Sequence, residues 1–322
     1  MSETYRRGDW VEVLSPEEIF QTLDDKSALE NMPFMPEMLK FAGTRLQVSA
    51  SAHKACDIVN TFQNRKVDDA VHLGVRCDGS SHGGCDAGCL LYWKTSWIKP
   101  VDGPGGADEH SADVELDPAE RAVIDQGSRS AETGPDESSV RYSCQATKLF
   151  DASSPLGKTD VRQYWRDLTS RNVTLWTMMR FMPLAVYNTI VGRSGHGRKY
   201  PMVNGLIKGK KTPTESLDLQ PGEIVEVKSN QEIMRTLNVE GSNRGMLFTT
   251  EMIPFCGKRY RVKKRVDRLL DEGSGEMITM KTPAIILEDA VCMGCYNPGY
   301  MFCPRGAYPM WREIWLKRVS EA

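Results

Sequence analysis

GDWVEVLSPEEIFQTLDDKS, residues 8–27, returns as GEIVEVKSNQEIMRTLNVEG at residues 222–241. The offset of 214 holds without a gap through Met32, Phe34, Glu37, Met38, Phe41, Gly43, Arg45 and Val48, which meet Met246, Phe248, Glu251, Met252, Phe255, Gly257, Arg259 and Val262, giving 17 identities in 41 aligned positions. A second block pairs at an offset of 218: Cys77 with Cys295, Cys85 with Cys303, Trp93 with Trp311, Trp97 with Trp315 and Lys99 with Lys317. Self-similarity of this kind fixes architecture before local propensity is read. It predicts two copies of one module, residues 4–101 and 218–320, separated by an acidic flexible linker over 102–139 and a helical connector over 140–217.

Within each copy, Trp10, Val11 and Val13, or Val225 and Val227, have the alternation of a half-buried strand. Ser15 and Ser229 stand three residues before Glu18 and Glu232, the spacing of a capping box, so a short helix starts there. Arg259–Val266 alternates again, DEGSGE (271–276) reads as a turn and TPAIIL (282–287) as a strand. The expected fold class is α+β: internally duplicated, β-rich, SH3-like or partial-barrel modules. The linker segment has eleven acidic and two basic residues with little apolar patterning, the composition of a solvated chain. A helix is expected through VRQYWRDL (161–168). Another is expected over 172–191, capped by Asn172 and kinked at Pro183. Its apolar residues lie on most of its circumference, which predicts burial between modules or in a homodimer, with membrane-surface contact as the other reading.

With 41 basic and 43 acidic residues the formal charge is −2, so attraction to nucleic acid or anionic lipid has to be local. The start of the chain lacks the apolar run of a signal peptide, and no stretch has the roughly 18 apolar residues of a spanning helix. The expected location is the cytoplasm. Nine cysteines in a reducing compartment are better suited to thiolate chemistry or metal ligation than to disulfides.

They partition by module. Cys56, Cys77, Cys85 and Cys89 fall in the first, Cys256, Cys292, Cys295 and Cys303 in the second, and Cys144 is left over. Four thiolates per module is the stoichiometry of a tetrahedral zinc or a four-iron cluster. The surrounding CDGSSHGGCDAGC (77–89) and CMGCYNPGYMFCPRG (292–306) are rich in glycine and proline, as loops around an ion are. Cys292 and Cys295 form a CxxC knuckle, and Cys303 precedes Pro304 as in bacterial ferredoxin runs. His82 either completes the first site in place of Cys56 or supports it from outside. Cys144 reads as a buried structural cysteine, or as a thiol facing substrate or cluster. Trp93 and Trp97, like Trp311 and Trp315, have helical spacing and a core-packing role.

Cys77-Asp-Gly-Ser-Ser-His82 resembles the CDGSH iron–sulfur motif, in which the cysteine and histidine both ligate the cluster. One extra serine separates the two here, and that family's upstream paired cysteines are missing. GDWVEV, GEIVEV and the closing WREIWLKRV (311–319) together resemble an uncharacterised family of bacterial proteins, a resemblance that covers most of the chain and implies no activity.

No phosphate-binding glycine loop, metalloprotease histidine pair or nucleophile elbow is present. KRYRVKKRVDR (258–268) carries seven basic residues, a candidate grip for nucleic-acid phosphates. The expectation is therefore a metalloprotein with two Cys-ligated centres, two iron–sulfur clusters of the 4Fe–4S type. These would serve an oxidoreductase or electron-transfer component acting with a redox partner or small-molecule substrate. The alternative is two structural zinc ions in a nucleic-acid or protein interaction module.

Overall fold

Alternation decides the first strand: in Trp10–Val13, Val11 and Val13 are buried, while Glu12 faces solvent and pairs with Arg45 and Lys99. The computed structural model describes residues 4–104, 118, 124, 127, 140–194, 200–209 and 211–319. Its architecture is α+β, with small antiparallel sheets and short helices. The chain divides into two compact units. Unit 1 comprises 1–178, 270–278 and 302–305, and unit 2 comprises 179–269, 279–301 and 306–322.

In unit 1, Trp10–Val13 lies between Ile98–Pro100 and Arg45–Gln47, all antiparallel. The helix Pro16–Phe20 begins where Ser15 accepts from Glu18 N and the Glu18 carboxylate accepts from Ser15 N. These bonds satisfy amides that a first helical turn leaves without partners. Ser15→Ala is therefore expected to lower stability by about 1 kcal/mol in urea denaturation, and an unchanged midpoint would mean that the cap contributes nothing to stability. The turn Pro36–Phe41 then buries Met38 in the same core as Trp93 and Trp97, both 0% exposed. Phe34 meets Trp97 edge-on at 5.2 Å, Phe41 meets Trp93 at 6.0 Å, and Trp97 Nε1 donates to Thr22 Oγ1 at 2.9 Å. Three further sheets belong to the unit: Ala28–Leu29 with Met32–Pro33; Ala50–Ser51, Ala70–Arg76 and Leu90–Lys94; and Lys54–Asp57, Gln63–Lys66 and Ser154–Pro155.

Unit 2 has the same succession. Ile224–Val227 lies between Leu316–Arg318 and Arg259–Leu270, and Asn230–Met234 follows a capping box at Ser229. Phe248 meets Trp315 at 5.4 Å, Phe255 meets Trp311 at 6.1 Å, and Trp315 Nε1 donates to Thr236 Oγ1 at 2.9 Å. Its sheet is wider, extended by Met277–Leu287 and Trp311–Arg312. On Arg259–Leu270, Val262 and Val266 point inward. Arg259, Arg261 and Arg265 pair with Glu226, Glu288 and Glu313, which spends charge that a phosphate backbone would use.

Several local expectations change. Trp93 lies on a strand and Trp97 in a 3-10 turn, as Trp311 and Trp315 do, so their spacing is not that of an α-helix. The helix expected over 172–191 runs from Leu175 to Ser194, and Thr174 rather than Asn172 accepts from its first turn. Asn172 instead bonds both backbone groups of Ser51. Trp176, Met179, Val186, Tyr187 and Ile190 are exposed on that helix, because its buried face is narrow and rests on Ala185 and Asn188. Among the described residues no helix is long and apolar enough to cross a membrane. Most of the expected linker lies outside the described residues. Ile124, which is described, is 2% exposed and belongs to the core of unit 1.

Candidate functional site

The loop after Ala70–Arg76 is wound by its glycines. Gly79 has φ +76°, and a Cβ there would fall 2.0 Å from the Cys85 carbonyl oxygen, so no other residue fits. The Gly79 carbonyl accepts from His82 N and Gly84 N, both at 3.0 Å, and Cys77 N donates to Cys89 O at 2.9 Å. Asp78 accepts from Ser80 and pairs with Lys40 at 2.7 Å on the outer side. Backbone bonds thus turn Cys77 and His82 inward together.

They meet Glu37, which the turn Pro36–Phe41 carries into the interior. Cys77 Sγ lies 2.8 Å from Glu37 Oε1, and His82 Nδ1 lies 3.2 Å from the same oxygen. The three donor atoms all lie within 4.8 Å of one another, and Glu37 and His82 are 6% and 1% exposed. His82 Nε2 is 3.2 Å from the Ser143 carbonyl. A carbonyl only accepts, so Nε2 carries the proton. The Nδ1 lone pair therefore faces a carboxylate, unless the ring holds a second proton or a cation lies between them. Glu37 Oε2 and His82 Nδ1 have no hydrogen-bond partner.

Burial alone would raise the Glu37 carboxyl. The His82 ring 3.2 Å away and the hydrogen bond from Cys77 outweigh it and hold Glu37 below the ordinary carboxylate range. Burial and the adjacent Glu37 charge push the Cys77 thiol well above its ordinary value. Thiolate, imidazole and carboxylate are the sulfur, nitrogen and oxygen donors that zinc accepts, and a ring nitrogen bonded to a backbone carbonyl is the usual support for a metal-binding histidine.

Beside this group is a cavity of about 40 Å³ lined by Cys77, His82, Cys85, Cys89, Cys144 and Tyr92, among others. That is room for roughly two to four waters. Burial pushes Cys89 up to about 11 and Cys144 up to about 12. Cys56 lies with Cys303, whose sulfur accepts from Cys56 N at 3.0 Å. Six of the nine cysteines thus belong to unit 1, and Cys256, Cys292 and Cys295 to unit 2, a different grouping from the expected four and four. Zn–S bonds of ~2.3 Å put the sulfurs of a tetrahedral site roughly 3.8 Å apart. Among the described residues no four thiols converge; Glu37, Cys77 and His82 form the one group of three or more donor side chains whose atoms all lie within 4.8 Å of one another.

In unit 2, Glu251 occupies the place of Glu37, but its carboxylate accepts from the backbone amides of Cys295, Tyr296 and Asn297 at 3.0, 2.6 and 3.0 Å. Burial pushes Cys295 up to about 12 and Cys256 up to about 11. The Cys295 sulfur rests 3.5 Å from the Met293 carbonyl oxygen. No histidine stands there, Tyr300 being the residue aligned with His82.

The sequence reading missed Glu37, although it is an acid in the apolar run MPFMPEMLKF and repeats as Glu251. It also missed Arg305, which donates to the Cys56 carbonyl at 3.2 Å and pairs with Glu272; nothing in its local sequence marks it. The chain matches no family model, no curated protein and no solved structure.

Proposed function

We propose that this protein binds one metal ion in unit 1, held by Cys77 Sγ, His82 Nδ1 and Glu37 Oε1, with a fourth position open toward the cavity. Zinc suits the mixed sulfur, nitrogen and oxygen donors. Three protein ligands with an open place is the arrangement of zinc sites that polarise or deprotonate a bound water. The carrying observation is the convergence of three electron-pair donors, of which Glu37 and His82 are buried and have atoms lacking partners. Unit 2 is a copy of the module in which the same glutamate is satisfied by amides, so the ancestral duplication leaves one centre rather than two.

A second reading has its own support: Cys85, Cys89 and Cys144 line the same cavity as Cys77, and wider spacing of thiols suits an iron–sulfur cluster. Anaerobic purification of the full chain with metal and sulfide analysis separates the two. Colourless protein with one zinc per chain, lost in His82→Ala, is the expected result. Brown protein containing iron and sulfide replaces zinc with the cluster reading, and protein that neither retains nor takes up either metal overturns both.

A further inference from the structure

Cys56 and Cys303 are 247 positions apart in the chain, yet the Cys56 amide donates to Cys303 Sγ at 3.0 Å, and the Cys303 side chain favours the Cys56 thiolate. Both residues lie in unit 1. Each has a cation at its side. The Arg305 guanidinium, fixed by Glu272, reaches the Cys56 carbonyl and acts on its thiol. The Lys54 ammonium, fixed by Asp167 at 2.6 Å, interacts with Cys303 and lies 5.9 Å from the Phe302 ring. Neighbouring positive charge favours thiolate, the form that attacks disulfides. Cys56 is the less buried residue of the two. Burial raises Cys89 and Cys144, whereas the Cys303 hydrogen bond, with Arg305, brings Cys56 down to about 7.

We propose that Cys56 and Cys303 form a redox-active dithiol, oxidised to an intramolecular disulfide by exchange with a small disulfide such as oxidised glutathione. The Cys56 thiolate attacks one sulfur of the small disulfide, forming a mixed disulfide and releasing one glutathione thiolate. Cys303, giving up its proton, attacks the Cys56 sulfur, closes the protein disulfide and releases the second. Two electrons and two protons pass to the small disulfide, which leaves as two thiols. The bond ties the Phe302–Arg305 segment to the strand Lys54–Asp57. Neither sulfur belongs to the Glu37, Cys77 and His82 group, so this chemistry is separate from the proposed zinc site.

Purified full-length protein treated with oxidised glutathione, blocked with an alkylating agent and digested without reduction is expected to yield one peptide pair joining Cys56 to Cys303. In Cys303→Ser the glutathione mixed disulfide should accumulate on Cys56, and in Cys56→Ser the Cys303 thiol should be alkylated, with no adduct. Wild-type protein in which both thiols are alkylated after treatment, or in which Cys56 is joined to a different cysteine, overturns the proposal. Zinc measured on the same sample keeps the two readings apart. Protein that forms this link without binding zinc leaves the dithiol standing, and protein that holds zinc with both thiols unoxidised removes it.

Discussion

Asp167→Ala is expected to lower the unfolding free energy by about 3–5 kcal/mol, the cost of leaving a buried charge without its partner. Asp167 accepts from Lys54 Nζ at 2.6 Å and lies 3.1 Å from His53 Nε2, with the side chains of Lys54 and Asp167 fully buried and that of His53 nearly so. Burial pushes both the Lys54 ammonium and the His53 imidazole toward their neutral forms, and Asp167 opposes it in each. Aromatic faces on Tyr164 and Phe302 complete the Lys54 environment at 5.2 and 5.9 Å. Without the carboxylate, Lys54 has to lose its proton or stay charged in an apolar shell, and each costs free energy. The double variant Lys54→Met/Asp167→Leu replaces both charges with apolar groups of similar size and should recover most of the loss. Urea denaturation of Asp167→Ala and of the double variant reads both effects. A loss below about 1 kcal/mol for Asp167→Ala would mean the pair behaves like a surface ion pair.

What the sequence disclosed follows the range of the forces involved. Val11, Val13, Ser15 and Glu18 act on neighbours a few residues away, so alternation and cap spacing placed the first strand and helix of each copy correctly. Repetition revealed which tryptophans matter but not their backbone, because a spacing of four fits a helix as well as a strand that runs into a 3-10 turn. The thiol groups were harder. Cysteines were assigned by chain proximity, which keeps Cys303 with Cys295, whereas the structure brings Cys303 to Cys56. Nothing local records that the segment 302–305 belongs to unit 1. Glu37 is the instructive miss. Its repetition as Glu251 was visible, but a repeated acid in an apolar run signals only a satisfied buried carboxylate. Cysteine and histidine meet Glu37, whereas backbone amides satisfy Glu251.

Zinc affinity at the unit 1 site is expected to strengthen by at least about tenfold for each pH unit from about pH 6 to 8. Burial and the Glu37 charge hold the Cys77 thiol above its ordinary value, so the metal-free protein keeps that proton throughout this range. Zinc binds the thiolate and must displace it. One proton released per ion gives a unit slope of log affinity against pH, and acid weakens binding because the proton competes. Glu37 adds nothing to the slope, since the nearby His82 ring and the Cys77 hydrogen bond outweigh burial and hold it below the ordinary carboxylate range, ionised across this window. Cys77→Ser removes the displaced proton and the softest donor together. Its affinity should fall by more than the ~100-fold that follows from losing an outer-shell partner. Glu37→Gln keeps the shape and loses the charge, so binding should weaken while the slope persists. Competition titration with a chromophoric zinc chelator at several pH values reads all three. A flat profile in the wild type, or equal affinity in Cys77→Ser, would place the ion on other side chains.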